Sequence, residues 1–319
     1  MRTKEQFLML WMLGGMMLAG LTACSGDDDT ATNGNTPQTD DDGVKVRRLT
    51  ITEADGGAAE ARQSLTRASL TENGGLTASW TANDQLTYCN LSRLKNQNED
   101  EPYSGTLTAV STASVSQFTG NVTCLKGDYL AVVYPAATFT TNSQYTITLS
   151  GQDGTLARLA TNYHYVYGKA QVNSVTDATA DATMPKMKSL LTVCKFSFVN
   201  KDGGAVIPIK SLSISYGGNG SDAGTYPQMA TVSLKDADGV SLDQANVHAT
   251  GATGTGALTV TCPSVQDAVY VALLPTAAQR TFSFTVSDGS GNSYIGTAKA
   301  TLAEGEYIAA TGLRLTKQQ

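Results

Sequence analysis

The chain has 319 residues, of which 41% are hydrophobic, only 16% are charged and 31 are glycine. Against roughly 25% charged residues in an average soluble protein, this excludes a charge-rich disordered chain and gives room for two medium-sized domains. A formal net charge of −6 supplies no electrostatic footprint for nucleic acid, and no nucleic-acid partner is expected.

The first element is a leader. Arg2 and Lys4 precede an uncharged apolar run from Phe7 to Thr22, shorter than the ~20 residues that span a bilayer as a helix, so residues 1–23 read as a signal peptide. The run ends in Leu21-Thr22-Ala23-Cys24, which resembles the lipobox of bacterial lipoproteins. That resemblance implies acylation of the Cys24 thiol, cleavage before Cys24, and a chain anchored to the outer membrane rather than spanning it. Ser25-Gly26-Asp27-Asp28-Asp29 follows, and the polar stretch runs on through Asp40-Asp41-Asp42, so 24–43 reads as an acidic flexible tether. A short acidic run behind a lipidated cysteine resembles the signal that takes lipoproteins of Bacteroidota to the cell surface.

From Val44 onward short strand-like runs alternate with turn signals. Val44 to Thr52 is an extended first strand, followed by an Ala/Gly-rich connection and a turn at Asn73-Gly74-Gly75. Strands are predicted over 85–91, 106–110, 117–125, 129–134, 145–149 and 163–172, and again over 190–199, 206–216, 229–234, 257–262, 268–274, 281–286, 294–302 and 307–315. Asp-Gly pairs at 153–154, 202–203, 238–239 and 288–289 punctuate them. Thr176 to Pro185 is polar and ends in proline, and reads as an inter-domain linker. The fold class is therefore all-β, with two tandem β-sandwich domains over 44–186 and 187–319.

Catalytic chemistry is not indicated. His164, at an aromatic strand position, and His248, in a Gly/Thr/Ala loop, are isolated from cysteines and carboxylates at ligand spacing, no Gly-x-Ser-x-Gly elbow occurs, and Gly218-Asn219-Gly220 lacks a strand-turn-helix context. Asp236-Ala237-Asp238-Gly239 opens like a calcium loop, but Val247 stands where a bidentate carboxylate is needed, so a hairpin turn is expected. No cofactor and no metal are expected. Cys89, Cys124, Cys194 and Cys262 lie inside strand-like runs without close pair spacing, and are expected as buried thiols rather than disulfides.

The order of several motifs supports a family resemblance. An Arg67-Ala68 junction precedes a Gly-rich turn; Trp80 with Asn83-Asp84 leads into the next strand; Tyr134-Pro135 ends another; Val271 to Pro275 closes in Leu-Pro; and Leu302-Ala303-Glu304-Gly305-Glu306-Tyr307 enters the last strand. Together with the lipobox, this series resembles the fimbrillins, the type V pilins of Bacteroidales, over nearly the whole chain. The resemblance implies two transthyretin-like sandwich domains, and polymerisation with other pilin subunits after an Arg-specific protease removes the N-terminal strand. Mapped here, the strand is Val44 to Thr52 and the cut falls at Arg67-Ala68, with Arg48 and Arg62 as alternatives. The donor strand would be the C-terminal one, presenting Tyr307, Ala309, Leu313 and Leu315 on one face. Residues 24–67 hold nine acidic and five basic side chains, so losing them leaves a less charged, less self-repelling body. A surface lipoprotein or tip adhesin that binds glycan or host protein without polymerising is the alternative, and an enzyme ranks third.

Overall fold

The computed structural model describes residues 45–54, 69–73, 76–93, 104–139, 144–233, 246–248 and 256–319. Cys24, the acidic tether, Arg62, Arg67, Ala68 and the Asp236–Gly239 turn lie outside these residues. The first half carries β1 (Lys45–Glu53), β2 (Ser69–Glu72), β3 (Leu76–Ser79), β4 (Gln85–Asn90), β5 (Ser104–Ala109), β6 (Gln117–Cys124), β7 (Tyr129–Tyr134), β8 (Gln144–Thr148), α1 (Leu156–Asn162), β9 (Val166–Val175), β10 (Thr179–Met184) and β11 (Lys188–Ser189). The second carries β12 (Thr192–Asn200), β13 (Val206–Ile207), β14 (Ile209–Tyr216), β15 (Met229–Ser233), β16 (Asn246–His248), β17 (Leu258–Gln266), β18 (Val269–Leu273), β19 (Arg280–Ser287), β20 (Ser293–Ala300) and β21 (Tyr307–Lys317).

Two β units follow in tandem, as the alternation predicts. In the first, strands pair in the order β10-β1-β6-β5-β4-β7-β9-β11, and β10 also pairs with β9, so seven strands close into a ring. Inside it lie Leu49, Ile51, Trp80, Leu86, Leu107, Phe118, Leu130 and Val132, all fully buried. In the second, the order is β13-β12-β21-β20-β19-β14-β17, with β18 on β12. Its core continues past that sheet onto Cys89, Ala131 and Val133, on the other face of β4 and β7. Strands β4 and β7 are thus covered on both sides, which is why Tyr129-Leu130-Ala131-Val132-Val133-Tyr134 reads as an unbroken apolar run rather than an alternating one. Strand β8 leaves the first unit to pair with β15 of the second, from Met229↔Thr148 to Ser233↔Gln144.

Three readings change. Thr176 to Pro185 is not a linker: it contains β10, whose Ala180, Ala182 and Met184 are buried while Thr179, Asp181 and Thr183 face out. Its inward face is built mainly from alanine and its outward face is polar, so it lacks the β-branched composition that marks most strands. The strand predicted from Tyr163 begins only at Val166, because Leu156–Asn162 forms a short helix capped by the Thr155 hydroxyl on the Arg158 amide at 3.2 Å. His248, placed in a loop by its Gly/Thr/Ala neighbours, ends the short strand β16 instead.

The four cysteines of the body are buried thiols, none in a disulfide. Burial pushes Cys124 up to about 11 and Cys194 up to about 12, so both stay protonated and behave as small apolar side chains.

Candidate functional site

The site is the slot that holds β1. Along Lys45-Val46-Arg47-Arg48-Leu49-Thr50-Ile51-Thr52-Glu53 the inward row is Arg47, Leu49, Ile51 and Glu53, all buried, while Val46, Arg48 and Thr52 face solvent. The backbone is paired along both edges. It runs antiparallel to β6 from Lys45↔Cys124 to Thr52↔Gln117 and parallel to β10 from Arg48↔Thr179 to Glu53↔Met184.

Leu49 and Ile51 fill the barrel between these neighbours, each fully buried, a burial that stabilises the strand's seat by roughly 1.5–3 kcal/mol per side chain. A charge ends the inward row at each side. The Arg47 guanidinium donates from Nε to the Thr176 carbonyl at 2.6 Å and from a terminal nitrogen to the Cys124 carbonyl at 2.5 Å, so it straps β1 to the end of β6 and to the β9–β10 turn. The Glu53 carboxylate accepts from the Trp80 indole N–H at 3.1 Å and from the Met187 amide at 3.2 Å. Buried charges are tolerated only when hydrogen-bonded, and a slip of one residue would turn Arg47, Leu49, Ile51 and Glu53 outward, so these partners fix the register of β1.

Trp80 connects the slot to the motif that follows it. Its ring packs edge-on against Phe118 at 4.9 Å and Tyr134 at 5.5 Å between centroids. Behind it, Asn83 takes a left-handed φ of 74°, which asparagine tolerates better than branched residues, and its amide bonds the Ala109 carbonyl at 2.9 Å. Asp84 accepts from the Thr81 amide at 2.7 Å, closing the turn that launches β4. The Trp80–Asp84 motif is therefore a buried anchor followed by a tight turn.

Immediately after the 54–68 segment, β2 and β3 form a hairpin from Ser69↔Ser79 to Glu72↔Leu76. Glu72 reaches the second β unit. Its carboxylate accepts from Lys195 Nζ at 2.9 and 2.7 Å, from the Tyr307 hydroxyl at 2.7 Å, and from the Tyr270 hydroxyl. The bond from Lys195, then those from Tyr270 and Tyr307, hold its pKa down at about 2. Sequence reasoning missed Glu72, Arg47 and Glu53 as positioning residues, since nothing local marks a glutamate in a polar hairpin or two charges in a strand as bonded over more than a hundred residues.

The predicted donor residues share β21 but not one face. Between Ala310 and Leu313 the strand carries one residue more than β12, a bulge at Thr311-Gly312 where Gly312 has φ 68° and its amide bonds Ser197 Oγ at 2.9 Å. The bulge shifts the alternation: Ile308 and Ala310 before it, and Leu313 and Leu315 after it, pack on the core, while Ala309 is exposed. Tyr307 sits at the start of β21, bonded to Glu72. No group of three or more His, Cys, Asp or Glu among the described residues is placed to hold a metal ion, and no described helix is long and apolar enough to cross a membrane.

Known structures share this architecture. A candidate cell adhesion protein from Bacteroides uniformis superposes with a TM-score of 0.52 at 14% identity, over 86% of this chain and 96% of that one. Another, from Bacteroides ovatus, gives 0.51 at 12% identity over 86% and 97%. The chain has the fold of these two proteins. No protein-family model and no curated protein matches the sequence.

Two measurements check the site. Ile51→Ala is expected to lower the stability of the intact chain by roughly 2–5 kcal/mol in denaturant titration, against less than about 0.5 for Thr50→Ala. Because the Glu72 pKa is depressed from 4.5 to about 2, its contribution is full above pH 4.5 and fades as pH falls toward 2. Glu72→Gln should therefore lower the melting temperature at pH 6 and shrink the difference from the parent between pH 4.5 and 2.

Proposed function

We propose that this chain is a structural subunit of a cell-surface fimbrium. In this reading it is exported as a lipoprotein anchored through Cys24, trimmed by an Arg-specific protease, and polymerised by donor-strand exchange with other pilin subunits, supporting adhesion. The observation that carries the reading is β1: an N-terminal strand, inserted between β6 and β10, whose removal would leave both without a partner on that side and the Leu49 and Ile51 cavities open. Such a slot, with two rows of unpaired backbone groups over an apolar floor, is what an added strand fills. The shared fold with candidate cell adhesion proteins supports a surface role.

Accessibility supports a cut outside β1. Arg48 lies within β1, its amide bonded to the Ala178 carbonyl at 2.9 Å, so a protease cannot draw its backbone into a cleft without first unpairing the strand. Arg67-Ala68 is favoured over Arg62 because cleavage there leaves the body starting one residue ahead of β2.

The last strand is the donor that the slot suits best. Leu313-Arg314-Leu315-Thr316 repeats the order of Leu49-Thr50-Ile51-Thr52, and β21 runs parallel to β12 as β1 runs parallel to β10. Leu313 and Leu315 would occupy the Leu49 and Ile51 cavities. The correspondence ends before Lys317, whose ammonium cannot accept the Trp80 and Met187 N–H groups that Glu53 satisfies. In the intact chain β21 completes its own sheet, so donation requires it to leave β12 and recover equivalent pairing in a neighbour.

Residues 25–319 treated with trypsin should yield a new N-terminus at Ala68 and a ladder of heat-sensitive oligomers on unboiled gels. Arg67→Ala should remove both, and Leu313→Asp should leave trimming intact while abolishing the ladder. A ladder undiminished in Arg67→Ala with no other arginine cut would contradict the reading, and trimming that yields only monomer would favour a tip adhesin or a non-polymerising surface binder.

A further inference from the structure

The outer face of the first β unit carries a depression of about 350 Å³ on the strands β7, β9, β10 and β11, away from the β1 cavities. Its central row is Tyr167, Lys169 and Gln171, alternate residues of β9. Register places Lys188 opposite Tyr167, and Thr183 and Tyr129 on either side of Gln171; Lys186 comes from the β10–β11 connection. Three lysines thus converge on one concave surface of a chain whose net charge is −6.

The neighbouring groups define what the pocket can take. Lys169 Nζ lies 4.2 Å from the centre of the Tyr129 ring, and Gln171 Nε2 donates to the Tyr129 hydroxyl at 3.2 Å, so these three side chains brace one another. None of the residues lining the depression is acidic. Two carboxylates on neighbouring elements are engaged: Glu304 accepts from Tyr167 and lies beside Lys188, and Asp181 accepts from Ser174 at 3.4 Å. Lys169 and Lys186 also line the depression, and neither is placed beside Glu304 as Lys188 is. Around them stand an amide, a threonine hydroxyl and the edge of a tyrosine ring, groups that pair with sugar hydroxyls and with the apolar face of a pyranose.

We infer that this depression binds an acidic saccharide, a sugar bearing carboxylate or sulfate, with Lys169 and Lys186 on the anionic group and Gln171 and Thr183 on hydroxyls. A volume of this order accommodates one or two sugar rings. Nucleic acid, whose recognition rests on many phosphate contacts, is disfavoured by the small number of cations gathered here. The inference uses neither trimming nor strand exchange, so it is tested on the untrimmed chain, and its failure would leave the fimbrial reading standing.

The test is biolayer interferometry of residues 25–319 on immobilised polygalacturonate, dextran sulfate and unmodified dextran at physiological salt. Binding to one or both acidic polymers and not to dextran is expected, with the preferred polymer distinguishing carboxylate from sulfate. Lys169→Glu with Lys186→Glu should weaken binding about tenfold or more, since it replaces two attractions by repulsions, whereas Lys201→Glu with Lys299→Glu, exposed on the second β unit, should leave most of it. Gln171→Ala alone, with both lysines present, should also weaken it. Equal loss in both lysine pairs, binding to neither acidic polymer, equal binding to duplex DNA, or complete displacement by an equivalent concentration of inorganic sulfate would overturn the inference.

Discussion

One strand closes the first β unit. β1 is hydrogen-bonded to β6 on one edge and to β10 on the other, and this double pairing turns an open sheet into a ring of seven strands. Everything about its sequence serves that position. Leu49 and Ile51 supply the apolar filling, Arg47 and Glu53 tie its ends to the body, and Trp80 couples the seat of the strand to the turn that starts β4. The strand is well seated, by its two neighbours and by the hydrogen bonds of Arg47 and Glu53. In the proposed function, cutting the strand away would give the folded subunit an open edge.

The second constraint is a shared core. β4 and β7 contribute one face to each of the two apolar cores, and β8 crosses to pair with β15, so the second β unit is supported by the first. Glu72 extends this link to the other end of the chain. The hairpin that follows the proposed cut carries the carboxylate that holds Tyr307, the first residue of β21. The β2–β3 hairpin and the candidate donor strand are therefore neighbours in the intact chain.

Much of this organisation was legible in the sequence. The strands at 129–134, 229–234 and 281–286 stood out because β-branched and aromatic residues cluster between Gly and Asp-Gly turns, and the Trp80, Asn83 and Asp84 motif was expected to lead into the next strand, which it does through a buried ring and a left-handed turn. β10 was hidden because alanine on its inner face and threonine and aspartate on its outer face resemble a linker. The single face expected of β21 was broken by a bulge that strict alternation cannot anticipate, since Gly312 admits the left-handed backbone without announcing an extra residue. The slot was invisible for a deeper reason. Arg47, Glu53 and Glu72 each find partners more than a hundred residues away, through pairings that only the closed topology creates.

The central claim is that β1 is a removable stave whose loss exposes β6 and β10. Hydrogen-exchange mass spectrometry on the chain before and after Arg-specific trimming tests it most directly. The account predicts that the β6 and β10 amides bonded to β1 lose protection on trimming, and regain it when a synthetic peptide of residues 306–319 is added, while β14 and β19 stay unchanged throughout. Protection in β6 and β10 that is the same before and after residues 45–53 have been cut away and released would contradict it.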